Sequence, residues 1–385
     1  MMTFAGAAET KKKTAADLTD LDKVTNKEAV SLLVDLGVIA GRETGAFDPT
    51  GTLKRGEFAK MICVTKLGSD KGANLAGGAS PLADIKGHWA EGYIKYCYST
   101  KIVAGTSPTT FSPEGELKVV EAAKMLLTAL GYDAELSKYN NDPFWSSNIM
   151  TDAQVAGLMD GISQISDEKI TRDNAAQMIF NALFADQVKP NIDRDQGVAY
   201  LVNYANKYTN AANPAAAKNK LGEFVFDLHT VTGVVTANTF GKVTSTAAAK
   251  DKTRIDVTAA GGSTINVGLA DFALASTAAQ LGHQVKFYAK SDKSLISSAV
   301  VDSGKTVTYS VSDEHEKFVK DNGLTVDGST VVITDYAGDS KAFVGYGSAA
   351  NKIAGDTVLI DVTGDKTIEY AVKSTYVFSN VSDVN

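Results

Sequence analysis

Cysteine, proline, histidine and long apolar runs are all scarce in these 385 residues. No stretch of 18 consecutive apolar residues occurs, which excludes a transmembrane helix. Seven prolines among 33 glycines exclude collagen-like and proline-rich chains. Positive charge does not prevail: 38 Lys and Arg against 45 Asp and Glu leave a net charge of −7, which argues against a general nucleic-acid or anionic-membrane binder. With 44% apolar and 22% charged residues the chain is globular in composition, and its length predicts two to four domains.

The start of the chain bears on compartment. Met1 to Ala8 reads as the end of a secretory signal peptide, with Ala5-Gly6-Ala7 as a small-x-small cleavage site. Residues 1–17 are therefore expected to be a signal remnant and a flexible polar tail.

Internal repetition organises the next 170 residues. At a shift of 64, Leu18-Thr19-Asp20 matches Leu82-Ala83-Asp84, and Gly37 to Gly41 matches Lys101 to Gly105. Phe47-Asp48-Pro49 matches Phe111-Ser112-Pro113, and Leu53 to Glu57 matches Leu117 to Glu121. A shorter third copy keeps Trp145 sixteen residues before Gly161, as Trp89 precedes Gly105, and puts Ile170 to Asn174 in the place of Leu53 to Glu57. The copies span about 18–67, 82–131 and 138–186, and repeats of this size imply a stacked or pseudo-symmetric assembly.

Each copy reads as helix, loop, helix. Ala29, Leu32, Leu33 and Leu36 recur at helical spacing, and Gly37 stops the first helix. The second helix carries Phe58, Met61 and Ile62 on its buried side, with Thr171 as an N-cap in the third copy. Arg55 and Arg172 then project from the first turn towards a groove between copies.

The elements Leu-x-Asp, His88-Trp89-Ala90, Gly37-Val38-Ile39-Ala40-Gly41, Phe-x-Pro and Lys54-Arg55-Gly56-Glu57 together resemble the S-layer homology domain. The resemblance implies an all-α pseudo-threefold unit of three copies. It also implies non-covalent anchoring to secondary cell-wall polysaccharide of a Gram-positive-type envelope, often through a pyruvylated sugar. Departures from the family's Thr-Arg-Ala-Glu element are informative. The second copy has Val119 for the arginine, the third ends in Asn174, and the first has Thr25 at the tryptophan position, so at most two grooves look competent.

The family's chemistry falls on Arg55, Lys54, Glu57, Arg172, Thr171, Asp84, Trp89, Trp145 and Asp20. A guanidinium grips a pyruvyl carboxylate with a planar fork, a helix N-terminus adds amide donors, and tryptophan stacks on the apolar face of a sugar. Two blander roles stand beside these. The arginines would tie the copies together through Glu57 or Asp173, and the tryptophans would pack in the core, the more common fate of that residue. Cys63 aligns with Leu127 and Phe180, and Cys97 with Leu33 and Ala153, so both are expected as free thiols at core positions rather than as a disulfide.

Residues 189–220 read as a linker, with a short helix over Val198 to Tyr208. From Leu221 short Val-, Ile- and Thr-rich segments predict strands at Phe224–Leu228, Val231–Ala237, Lys252–Thr258, Ser263–Val267, Gln284–Ala289, Ser294–Val301, Thr306–Val311, Thr330–Thr334, Asp356–Val362 and Thr367–Val372. One helix is expected at Glu314–Asp321. This half reads as mainly antiparallel β, of barrel or sandwich type, in one module or two (about 221–303 and 304–385).

No catalytic or metal spacing appears: His229, His283 and His315 are scattered, and Asp361 with Asp365 is explained by the turn at Gly364. No cofactor is expected, and no motif indicates calcium. The chain therefore reads as a secreted, non-catalytic cell-envelope protein, its β modules serving lattice self-assembly or spacing. The alternative is the anchored portion of a surface enzyme or adhesin whose β modules bind carbohydrate.

Overall fold

The computed structural model describes residues 14–75, 78–192, 199–203, 220–239, 242, 247–257, 264–265, 267–277, 280–302, 306–311, 315–326, 331–334, 339–342 and 357–373. They fall into two compact units, divided between Leu228 and His229. The signal-like residues 1–8 and most of 204–220 lie outside the described residues.

The ring of the first unit is built from α1 (Lys27–Asp35), α2 (Arg55–Leu67), α3 (Glu91–Ser99), α4 (Val119–Leu130), α5 (Trp145–Val155) and α6 (Arg172–Phe184). Their ends follow from local chemistry. The Glu57 carboxylate accepts from the Lys54 amide (2.9 Å) and Glu121 from the Lys118 amide (2.9 Å), covering free donors at the starts of α2 and α4. Thr171 Oγ1 accepts from the Asn174 amide (3.3 Å), the N-cap expected of it. Gly68 and Gly131 close α2 and α4 at φ of 69° and 103°, where a side chain would be strained.

The helices pair across segments rather than within them. α3 packs on α2, α5 on α4, and α1 on α6, so each segment's first helix covers the second helix of the segment before it. Three backbone bonds close this arrangement into a ring: Leu117 N to Leu53 O (3.0 Å), Ile170 N to Leu117 O (2.9 Å) and Leu53 N to Ile170 O (3.2 Å). All three side chains are fully buried. A segment removed from the ring would expose both an apolar helix face and unpaired backbone groups, which ties the three into one folding unit.

Cys63 and Cys97 are free and buried, as their alignment with apolar positions implies. The Cys97 thiol points at the Ala59 carbonyl (3.5 Å), and hydrogen bonding to Cys63 together with burial pushes it well above the ordinary thiol range.

Two segments depart from their sequence pattern. Where a short helix is expected, Ala199–Asn203 (β2) pairs antiparallel with Val188–Ile192 (β1), because strand pairing is decided by a partner the local sequence does not contain. Where a strand is expected at Phe224–Leu228, Leu221–Phe226 forms helix α7, which packs on α2 and α6 and ends at Asp227 in the left-handed region. Residues 220–228 thus belong to the helical unit.

Among its described residues the second unit holds two five-stranded sheets. The first has the order β5 (Leu269–Phe272), β4 (Thr253–Asp256), β3 (His229–Ala237), β6 (Gln284–Ala289), β7 (Leu295–Asp302), antiparallel throughout. Its core includes Val231, Val235, Ile255, Phe272 and Phe287, the two rings meeting edge to face at 4.9 Å. The second has the order β10 (Asp339–Ala342), β9 (Val331–Thr334), β12 (Tyr370–Lys373), β11 (Thr357–Asp361), β8 (Val307–Val311). It is antiparallel except for β12 beside β9. Both are open ladders among the described residues, so a closed barrel is not formed by them. Val234 of the first sheet packs with Ile360 and Val362 of the second. Helix α8 (His315–Asp321) lies where a helix is expected. The Ser263–Val267 strand is not seen: residues 264 and 265 form a bend and 263 and 266 lie outside the described residues.

The β11–β12 turn carries a titratable group of its own. Burial, with the charges of Asp361 and Asp365, raises the Glu369 carboxyl above its ordinary range, against the lowering effect of the Val362 amide. A raised folded pKa favours folding only below the unfolded value, and that contribution is lost as pH rises through the folded one. Glu369→Gln, which keeps an acceptor for Val362, is therefore expected to raise the second unit's melting temperature by about 1–2 °C at pH 7. The gain should shrink to nothing as pH falls into the carboxylate range, which calorimetry at the two pH values would check.

Candidate functional site

The three seams of the helical ring are built on one plan and filled differently. At the seam of the first and second segments, Arg55 lies across the second segment's loop. Its Nε donates to the Phe111 carbonyl (2.9 Å), its Nη1 to Glu121 (3.2 Å), and the guanidinium covers the Phe111 ring at 4.8 Å. Burial lowers its pKa, and the charges of Glu121 and Asp84 oppose that fall. Its Nη2 has no hydrogen-bond partner among the described residues.

At the seam of the third and first segments Arg172 repeats the gesture more tightly. Nε donates to the Phe47 carbonyl (2.8 Å), Nη2 to the Ala40 carbonyl (3.0 Å), and Nη1 stands 4.0 Å from Glu57. Its side chain is 4% exposed against 10% for Arg55. At the seam of the second and third segments there is no arginine among the described residues. Val119 and Val120 donate only their amides, to the Glu168 and Ser166 carbonyls. The open groove expected in front of each arginine is largely occupied by the guanidinium itself, since a carbonyl of the next segment lies within its reach.

The two aspartates organise loops. Asp20 accepts from the amides of Phe47 (2.6 Å) and Asp48 (2.9 Å), and Asp84 from those of Phe111 (2.8 Å) and Ser112 (2.7 Å). Burial pushes the Asp20 carboxyl up, but the two amides outweigh it and hold it below the usual range. Each aspartate thus presents to the arginine the carbonyl of a loop it has itself shaped. Asp173, the other expected tie, accepts instead from the Asn26 amide and side chain, both at 3.2 Å.

The tryptophans are not core residues. Trp89 is 54% and Trp145 40% exposed, at the starts of α3 and α5, and Phe144 beside Trp145 is 69% exposed. The repeat explains why sequence alone misplaces them. The alternative residue at this position, Thr25, is also exposed, so the site faces solvent and the burial usual for tryptophan does not apply.

Around Trp89 the first seam gathers further polar groups. Lys54 of the first segment is ion-paired with Glu114 of the second, and His88 Nε2 lies 2.8 Å from the other oxygen of Glu114. The His88 ring centroid is 5.4 Å from that of Trp89. Only this seam combines an exposed tryptophan with an arginine. The third-to-first seam has Arg172 but Thr25, and the second-to-third has Trp145 but Val119.

Sequence reasoning passed over Arg42, which bridges Glu57 (2.7 Å) and Asp48 (3.4 Å) at the third-to-first seam. It also passed over Glu114, whose signal was its place one residue after Pro113. An apolar hollow of about 180 Å³, lined by Thr14, Asp17, Leu18, Val34, Gly37, Ile39, Ala40, Gly41 and Gly45, contains none of the expected site residues.

In the second unit Asp361, Asp365 and Glu369 bring carboxylate oxygens within 4.8 Å of one another. Asp361 is spent on the amides of Gly364 (2.6 Å), Asp365 (3.3 Å) and Lys366 (2.8 Å), and Glu369 on that of Val362 (2.8 Å). Turn chemistry accounts for the group, as it did in the sequence. Among the described residues no helix is long and apolar enough to cross a membrane.

Comparison with known proteins agrees with the motif reading over the first two copies. The S-layer homology domain profile matches residues 17–59 and 81–118. The "Middle cell wall protein" of Brevibacillus brevis is 28% identical over 184 residues, 48% of this chain and 16% of that protein. The "Surface-layer 125 kDa protein" of Lysinibacillus sphaericus is 28% identical over 237 residues, 56% of this chain and 20% of that protein. An "Endoglucanase" of a Bacillus species is 33% identical over 113 residues, 27% of this chain and 12% of the enzyme. The chain thus spans a fifth or less of each of these relatives.

Proposed function

We propose that residues 18–186 form a three-copy S-layer homology unit that anchors the protein non-covalently to secondary cell-wall polysaccharide, and that the seam of the first two copies is the groove that holds it. The carrying observation is the exposed Trp89 standing over a seam that also contains Arg55, Lys54 and Glu114. An indole face suits the apolar side of a sugar, and the spare Nη2 of Arg55 suits an acidic substituent such as a pyruvyl carboxylate. Arg172 gives Nε and Nη2 to two carbonyls of the first segment and turns Nη1 towards Glu57 at 4.0 Å, so its part is to close the ring. The β-rich unit is then non-catalytic and serves lattice assembly or spacing.

Co-sedimentation of the full chain with purified sacculi, before and after chemical removal of the secondary polysaccharide, tests this. Binding should vanish on removal. Trp89→Ala should weaken it about tenfold, the value of one stacked ring, and Trp145→Ala by less. Equal sedimentation with both sacculus preparations would refute the polysaccharide as ligand. The endoglucanase among the relatives favours a second reading, in which the same anchor carries a carbohydrate-active or adhesive module. Glycan binding by the β unit would support it, whereas a lattice seen by electron microscopy would support the first.

A further inference from the structure

We propose that His88 is a positioning residue that sets Trp89 over the first seam, acting through Glu114 and so through Lys54 of the preceding segment. The inference rests on the reading of that seam as the polysaccharide groove, but its geometry is independent of it. Trp89 is more than half exposed, so core packing alone does not orient its ring. The imidazole beside it is held at both nitrogens. Nδ1 accepts from the Ala90 amide (3.1 Å) at the start of α3, which places the ring's proton on Nε2, facing Glu114 at 2.8 Å. Glu114 is fixed in turn by its ion pair with Lys54. The chain Trp89, His88, Glu114, Lys54 therefore crosses from the second segment to the first, and the platform is registered to the seam.

Two details mark this as particular to the first seam. Gly56 stands where the family has alanine, and a Cβ there would lie 3.4 Å from His88 Cε1 and 3.1 Å from the Pro113 carbonyl. The glycine lets the Pro113 carbonyl approach closely and places the imidazole edge against the start of α2. The second-to-third seam has the corresponding ion pair, Lys118 to Asp167 at 2.5 Å, but Phe144 at the histidine position, exposed and unable to bridge. The third copy thus has a tryptophan without the latch.

The chain has two tryptophans, so Trp145→Phe leaves Trp89 as its sole indole emitter. In that full-length background His88→Ala should lower the steady-state anisotropy of the Trp89 emission, as the ring loses its brace, and His88→Gln should keep it near the parent value. At about pH 8, His88→Ala and Glu114→Ala should each weaken sacculus binding about tenfold, the value of one hydrogen bond to a charged group. His88→Gln should stay within about threefold, since its amide can accept from Ala90 and donate to Glu114. A Trp89 anisotropy left unchanged by His88→Ala in the Trp145→Phe protein overturns the proposal, whether or not sacculi bind. So does wild-type binding by His88→Ala, or binding by His88→Gln as weak as by His88→Ala.

Discussion

Arg172→Ala should destabilise the helical unit by about 3–5 kcal/mol, and calorimetric unfolding of the full chain would read it as a marked drop in that unit's transition. The side chain is 4% exposed, and it supplies the donors that the Phe47 and Ala40 carbonyls receive from it. Alanine leaves both carbonyls facing a void, and bonds to a charged donor are worth about 1.5–3 kcal/mol each. The guanidinium also covers the Phe47 ring at 5.0 Å, and alanine leaves that ring face bare. Glu57 is not orphaned, because Arg42 remains at 2.7 Å, which keeps the cost from going higher. Arg55→Ala should cost less, about 2–3 kcal/mol, since it removes one carbonyl bond and an ion pair whose Glu121 side chain is 34% exposed. Binding to sacculi should rank the two the other way, Arg55 mattering more, because it is the more exposed of the two and two of the three Arg172 nitrogens are taken by carbonyls of the fold. Arg172→Lys should recover less than half the loss, a single ammonium being unable to span the fork. Equal stability of the two alanine variants would remove the distinction between an arginine that closes the ring and one that keeps a donor for a ligand.

Gly131→Ala should be comparably severe, again about 3–5 kcal/mol by thermal unfolding. Gly131 has φ of 103°, and a Cβ there would stand 2.0 Å from the Val188 carbonyl oxygen, a backbone atom that opens β1. Relief requires moving the end of α4 or the start of the β1–β2 hairpin, and neither is a flexible side chain. Gly87 supplies the control: its φ is 74°, but nothing lies within 4 Å of the added atom. Gly87→Ala should therefore cost only the left-handed strain, about 1 kcal/mol. If the two substitutions cost the same, close backbone approach is not what Gly131 serves.

Much of the helical unit is legible in the chain because its signals are local. Apolar spacing placed α1 and the buried face of α2, Gly37 stopped the first helix, and Thr171 capped α6 as its position before Arg172 implied. The repeat added a cross-check that single helices lack. Cys63 and Cys97 aligned with apolar residues, and both are buried thiols. In the second unit the expected Gln284–Ala289 strand matches β6 residue for residue, since a run of alternating β-formers between turns needs no distant partner to be recognised.

Other features depended on what the folded chain brought alongside. Phe224-Val225-Phe226 has a strand's composition, yet the site against α2 and α6 accommodates one turn of helix. Ala199–Asn203 became a strand because β1 lay available to pair with it. The arginines could be assigned to a seam from sequence, but whether a guanidinium waits for a ligand or takes a carbonyl depends on loop positions within an ångström. Trp89 and Trp145 could be aligned, but their exposure depends on which helix the neighbouring segment lays beside them. The ring helices and their caps were thus determined by the sequence itself, because their signals arise within about ten residues of chain and the repeat states them more than once. Cross-segment pairing, solvent exposure and the spare donor on Arg55 were decided by the closed ring, because each is a property of surfaces that meet only when the third segment returns to the first.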